Sequence, residues 1–269
     1  MANLIIKPTS GGSLILQDEG GTAAHTIDAS GNHTLSGTTN NLGTVTAGDL
    51  SGDSITFKGK LLYNVVIFTS SGTWTKPAGV IAVRVFVTGG GGGGGGHGAS
   101  NDAGGGGGGA GTAIKWITSG LGATEAVTIG AAGTQGASGA NNGSGGGTSS
   151  FGSHCTGTGG GGGYHGNFGA VKGGSAGQGT GANALLIHGA VGAHGNDDTF
   201  TGNGYYSTFG HGGGTYWGMG GAGSSYGNAS YGSAARPGST YGAGGGGGSE
   251  NNGAGGAGAA GVVYIEEYK

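Results

Sequence analysis

Residues 83–98 read VRVFVTGGGGGGGGHG. Valines alternate with Arg84 and Phe86 in the period-two pattern of a strand. That strand runs without a break into eight glycines. Glycine loses more backbone freedom on folding than any other residue, so an ordered run of this length needs dense hydrogen bonding in return. Polyproline-II geometry meets the need: three residues per turn, about 3.1 Å rise and no internal hydrogen bonds. Its N–H and C=O groups point outward to neighbours of the same kind, and only glycine lets such helices approach closely on several sides. Residues 89–96 would span roughly 25 Å at that rise. Further runs occur at 104–109, 159–163 and 244–248. The expectation is a bundle of polyglycine-II helices. Collagen is excluded, because there is no strict G-X-Y period and only three prolines are present.

The glycines are unevenly distributed. Of 79 in the chain of 269 residues, twelve precede residue 89 and none follows residue 261. Charge is scarce, with nine Lys/Arg against twelve Asp/Glu and a net charge of −3. One third of the residues are hydrophobic. That balance is unlike a disordered chain. It offers no basic patch for nucleic acid. A single cysteine, Cys155, excludes an intrachain disulfide and any zinc-knuckle spacing. The N-terminus, MANLIIKPTSGG, lacks the pattern of a signal peptide, and no window approaches 18 apolar residues. The expectation is synthesis in a cytoplasm and release without ordinary secretion.

The predicted fold is mostly β with polyglycine-II helices and almost no α-helix. Residues 1–60 carry short alternating segments such as LIL at 14–16, HTID at 25–28 and HTLSG at 33–37. These are too small to bury a core from one chain, and predict an intertwined, trimeric stalk or attachment segment. Residues 61–130 and 261–269 predict a small β-sandwich. Its strands are expected at 62–69, 80–88, 112–118 and 124–130, with the tail strand returning beside 80–88 and SSGTWTKPAG serving as a turn. Residues 131–260 are left as the glycine-rich polyglycine-II region with aromatic loops.

The string SGTWTKPAGVIAVRVFVTGGGGGGG, with Trp74, Pro77, Gly79, Val83, Val85 and Val87, resembles the start of the glycine-rich domain that ends tailed-bacteriophage tail fibres. The closing GGAGAAGVVYIEEY resembles that domain's last strand. The resemblance implies a virion tail-fibre or tail-tip protein made in the host cytoplasm. It implies attachment to other tail proteins through the N-terminal segment. It also implies recognition of a bacterial surface polysaccharide or outer-membrane protein by loops held on the glycine scaffold.

Aromatics interspersed with Gly, Ser and Asn have the composition of binding loops, where rings give a large contact area at low entropic cost. The expected receptor-binding residues are Asp197, Asp198, Phe200, Tyr205, Tyr206, Phe209, Tyr216, Trp217, Tyr226, Tyr231 and Tyr241, with 196–217 as the densest cluster. The bland alternative is that these rings cap the bundle and form its hydrophobic core. No cofactor or resident metal is expected. His25 or His33 tripled on a trimer axis, or calcium at Asp197–Asp198, are minor alternatives. An enzyme is not expected; a carboxylate pair from Asp197 or Asp198 with Glu250 is a weak candidate. Competing functions are a purely structural shaft or virion decoration, and an ice-binding face, against which the bulky rings argue.

If residues 89–260 form a hydrogen-bonded bundle, they will resist a nonspecific protease in the native protein. Digestion as fast as in a denatured control would refute the bundle.

Overall fold

The computed structural model describes residues 14–17, 23–27, 33–35, 61–97, 103–166, 171–195, 210–224, 235–249 and 253–269. The chain divides into two compact units, Met1–Thr56 and Phe57–Lys269. In the first, β1 (Leu14–Gln17), β2 (Ala23–Ile27) and β3 (His33–Leu35) form an antiparallel sheet in that order. His25 lies on β2 and His33 on β3, paired with Leu35 and Ile27 respectively. The second unit contains ten strands and, among its described residues, no helix of the α type.

Two five-stranded antiparallel sheets face each other at one end of the second unit. One has the order β12 (Leu185–Ile187), β7 (Thr112–Ile117), β6 (Ala82–Thr88), β13 (Val262–Tyr268), β4 (Leu62–Phe68). The other has the order β11 (Gly179–Thr180), β10 (Cys155–Gly157), β9 (Ser149–Phe151), β8 (Thr124–Thr128), β5 (Gly72–Thr75). The tail strand does return beside β6, with Val263 opposite Val87 and Ile265 opposite Val85. Val83, Val85, Val87, Val263 and Ile265 project inward against Trp74, Val127 and Phe151. Alternation puts Glu267 on that same inward face, fully buried. A buried carboxylate must find donors, and it accepts from Trp74 Nε1 at 2.7 Å and Asn64 Nδ2 at 3.1 Å. The Trp74 segment is therefore a strand of the second sheet and not the turn expected from SSGTWTKPAG. Its ring packs edge-on to Phe151, centroids 5.7 Å apart.

Beyond the sheets the chain runs up and down in twelve extended rods among the described residues. In chain order they are rod 1 (89–97), rod 2 (103–111), rod 3 (130–137), rod 4 (141–148), rod 5 (158–166), rod 6 (171–178), rod 7 (188–195), rod 8 (210–214), rod 9 (219–224), rod 10 (235–238), rod 11 (242–249) and rod 12 (253–261). Every N–H of rod 1 donates to another rod, and the acceptor changes with a period of three. Gly89, Gly92 and Gly95 donate to rod 2; Gly90, Gly93 and Gly96 to rod 4; Gly91, Gly94 and His97 to rod 12. Carbonyls of rod 1 accept with the same period from rods 5, 3 and 11. Three residues per turn with all groups pointing outward is polyglycine-II geometry.

Rods 2 and 11 repeat the pattern, each bonded to six neighbours. Rods 1, 2 and 11 also bond to one another and are buried along their whole length. Three mutually touching rods in a hexagonal array have nine surrounding positions, and the other nine rods fill them. The bonds define rows 6–5–4, 7–2–1–3, 8–11–12 and 9–10. Sheet and lattice interleave along the chain, so the sequence-level boundary at residue 131 does not follow the spatial one. Rods 1 and 2 fall within 61–130, and β9 to β12 fall within 131–260. Strands continue directly into rods: β6 into rod 1, β8 into rod 3, β10 into rod 5, β12 into rod 7.

The lattice has no room for side chains. A Cβ on Gly92 would collide with the carbonyl of Gly161, and one on Gly107 with that of Gly92. Gly145, on an outer rod, has its nearest neighbour, Gly160 O, at 3.4 Å from a Cβ. Gly92→Ala is therefore expected to lower stability by at least about 3 kcal/mol, since backbone cannot yield as a core side chain does. Gly145→Ala should be neutral or stabilising by up to about 1 kcal/mol through the unfolded chain. Chemical denaturation of the two variants checks both.

Candidate functional site

Strict alternation of rod direction puts the two ends of the lattice to different uses. At the proximal end the rods merge into the sheets or close in the turns 215–218 and 239–241. At the distal end lie the described termini that flank every other connection: His97 and Ala103, Gly166 and Val171, Gly195 and Gly210, Ser224 and Ala235, Ser249 and Gly253. The sixth distal connection, 138–141, is a tight turn. Gly139 has φ +96°, a conformation glycine adopts freely, and donates its N–H to His97 O at 3.0 Å. Asn141 Nδ2 donates to Ser138 O at 3.1 Å. Beside it, Asn142 Oδ1 accepts from the His165 N–H at 2.8 Å and lies 2.7 Å from His165 Nδ1.

Asp197, Asp198, Phe200, Tyr205, Tyr206 and Phe209 lie outside the described residues, as do Tyr226, Tyr231 and Glu250. Their chain anchors, the distal ends of rods 7 and 8, 9 and 10, and 11 and 12, are fixed by rod-to-rod bonds. Gly195 N–H donates to Val171 O, and Gly210 N–H to Gly104 O.

Tyr216, Trp217 and Tyr241 are at the other end. The densest sequence cluster, 196–217, is thus divided by the length of rod 8, roughly 15 Å for five residues at polyproline-II rise. Rods 8 to 11 continue into no strand, and their two turns fold under the outer face of the β12–β4 sheet. Trp217 Nε1 donates to Thr88 Oγ1 at 2.8 Å, and Thr88 Oγ1 shares a 2.8 Å bond with Thr112 Oγ1. The indole lies 6.3 Å from the rings of both Phe86 and Tyr264 and stands edge-on to Tyr216 and Tyr241. The three rings pack together beside the sheet, with Tyr216 and Tyr241 still 47% and 41% exposed. They also leave two open grooves beside Trp217. One, of about 590 Å³, is lined by Ser239, Thr240, Tyr241, Ala259 and Ala260. The other, of about 510 Å³, is lined by residues including His188, Tyr216 and Met219.

One pair invisible in the sequence is Glu125 with His154, where Oε1 and Nε2 are 3.2 Å apart. Cys155, the residue after His154, points into the sandwich core. Burial pushes its thiol up to about 11, partly opposed by Lys115. Desolvation raises the Glu125 carboxyl, but the Gly122 N–H at 2.8 Å and the bond and charge of His154 outweigh it, leaving the group below its usual range. The pair ties strand β8 to the β9–β10 hairpin. No set of three or more His, Cys, Asp or Glu able to hold a metal occurs among the described residues.

The sequence model of a glycine-rich domain family matches residues 68–268, and the chain belongs to that family. No curated protein matches the chain.

A depressed carboxylate stabilises the fold above its unfolded value of about 4.3 and loses that contribution as pH falls through the folded value. Melting temperature should therefore decline between about pH 4.5 and pH 3 by less in Glu125→Gln than in the wild type. An identical decline in both would show that the pair contributes nothing.

Proposed function

We propose that this glycine-rich domain protein is a tail-fibre or tail-tip adhesin of a tailed bacteriophage, which attaches the virion to a polysaccharide or outer-membrane protein on the host surface. The observation that carries this reading is that six chain reversals are anchored at one end of a rod lattice, away from the sheets. A lattice held by backbone bonds in every direction is stiff. Its distal connections can differ in length and sequence without disturbing it, and pre-organised anchors reduce the ordering cost of binding. The aromatic and Asn-rich sequences of 196–209 and 225–234 supply the contact chemistry. The N-terminal unit joins other tail proteins and brings copies together as a trimer. Weak contacts then add by avidity.

Labelled full-length protein tested on a panel of intact bacteria is expected to bind a few strains saturably. Tyr205→Ala with Tyr206→Ala should abolish that binding at unchanged melting temperature. Trp217→Ala should lower the melting temperature and leave binding intact at temperatures where the protein is folded. Absence of binding to every strain by folded protein would replace this reading with a structural shaft.

A further inference from the structure

The larger groove beside Trp217, of about 590 Å³, has the size of a small-molecule site. Its lining combines two rings, Trp217 and Tyr241, two methyl groups, Ala259 and Ala260, and two aliphatic hydroxyls, Ser239 and Thr240. None of these described residues carries a carboxylate, ammonium, guanidinium or imidazole group, so a charged ligand would find no counter-charge. The rings are held in place before any ligand arrives. Trp217 Nε1 donates to Thr88 Oγ1 at 2.8 Å, and the Trp217 N–H donates to Thr215 Oγ1 at 3.2 Å. Thr215 Oγ1 in turn donates to Tyr241 O at 2.9 Å, which ties the two turns together. Indole and phenol meet at 83°, centroids 6.1 Å apart. A corner fixed in this way loses little freedom when something binds in it. One polar atom at the groove is unsatisfied. Thr240 Oγ1 is buried and has no hydrogen-bond partner among the described residues. The Thr240 side chain fills the room that Gly218 leaves, where a Cβ would stand 2.8 Å from Thr240 Cγ2. A buried hydroxyl without a partner destabilises the fold that holds it.

We propose that this groove binds a neutral saccharide, with a sugar ring packed into the Trp217–Tyr241 corner and a sugar hydroxyl bonded to Thr240 Oγ1. The hydroxyl reaches the ligand by turning about χ1 from one staggered well to the next. Saccharide chemistry matches the lining group by group. The C–H faces of a sugar ring are drawn to the electron-rich faces of aromatic rings. Sugar hydroxyls both donate and accept, as the hydroxyls of Ser239, Thr240 and Tyr241 do. A neutral sugar also needs no counter-charge. A proline-rich peptide packs on Trp and Tyr as well, but its prolines offer only carbonyl acceptors and leave the oxygen lone pairs of the three hydroxyls unmatched. The groove lies at the proximal end of the lattice, so the inference stands apart from attachment through the distal connections.

The test titrates full-length protein calorimetrically with maltotriose, cellotriose and chitotriose, with trigalacturonate as a charged sugar and decaproline as a peptide. The expected result is saturable binding of at least one neutral trisaccharide, tighter than that of either control. Thr240→Val should lower that affinity about five- to tenfold, the loss of one hydrogen bond. Its melting temperature should stay level or rise, because an unpartnered hydroxyl has been removed. Tyr241→Ala should lower the affinity at least about tenfold. If Tyr241→Ala does not fold, Thr240→Val decides alone. Unchanged affinity in Thr240→Val would overturn the inference, and a lowered melting temperature beside it would make the hydroxyl structural. Trigalacturonate or decaproline binding as tightly as the neutral sugars would overturn it too. So would the failure of folded protein to bind any of the three at millimolar concentration.

Discussion

Everything in the larger unit depends on the backbone hydrogen bond between polyglycine-II rods. Each such bond contributes only about 1 kcal/mol net, but a buried N–H or C=O left unpaired costs more than that. Rods 1, 2 and 11 are buried on all sides, so every one of their polar groups needs a partner, and a neighbour in every direction is the arrangement that provides it. The three-residue period distributes consecutive groups at about 120°, and donors and acceptors together address six neighbours. The twelve-rod array follows from this. So does the near absence of side chains inside it, because a methyl group at an inner position would stand where a neighbour's carbonyl already is.

The sandwich solves the problem that the lattice creates. A rod bundle has almost no hydrophobic core, and glycine brings a large entropic cost. Trp74, Phe151 and the valines of β6 and β13 bury apolar surface at one end, and strands that run on into rods transmit that order into the glycine region. Where rods meet no strand, Trp217 and its neighbours close the end by packing on Phe86 and Tyr264.

Much of the fold was legible in the sequence because its signals are local. The alternation at 83–87 and 262–268 marks strands, and uninterrupted glycine marks rods. The position of Trp217 was not legible, because composition does not reveal that its turn folds back onto Phe86 and Tyr264 of the sheet. Glu125 and His154 likewise meet only because β8 pairs with β9.

The sequence by itself determined that glycine runs would pack as polyproline-II rods, that valine-rich strands would flank them, and that charge would take little part. Those outcomes follow from backbone sterics and side-chain alternation, which act over a few residues. The tertiary structure alone decided the order of the rods in the array, the strict alternation of their direction, and which aromatics became a cap. Those outcomes depend on which strands pair across the sandwich and on where each rod's six bonding directions find neighbours, and both are set by contacts between residues far apart in the chain.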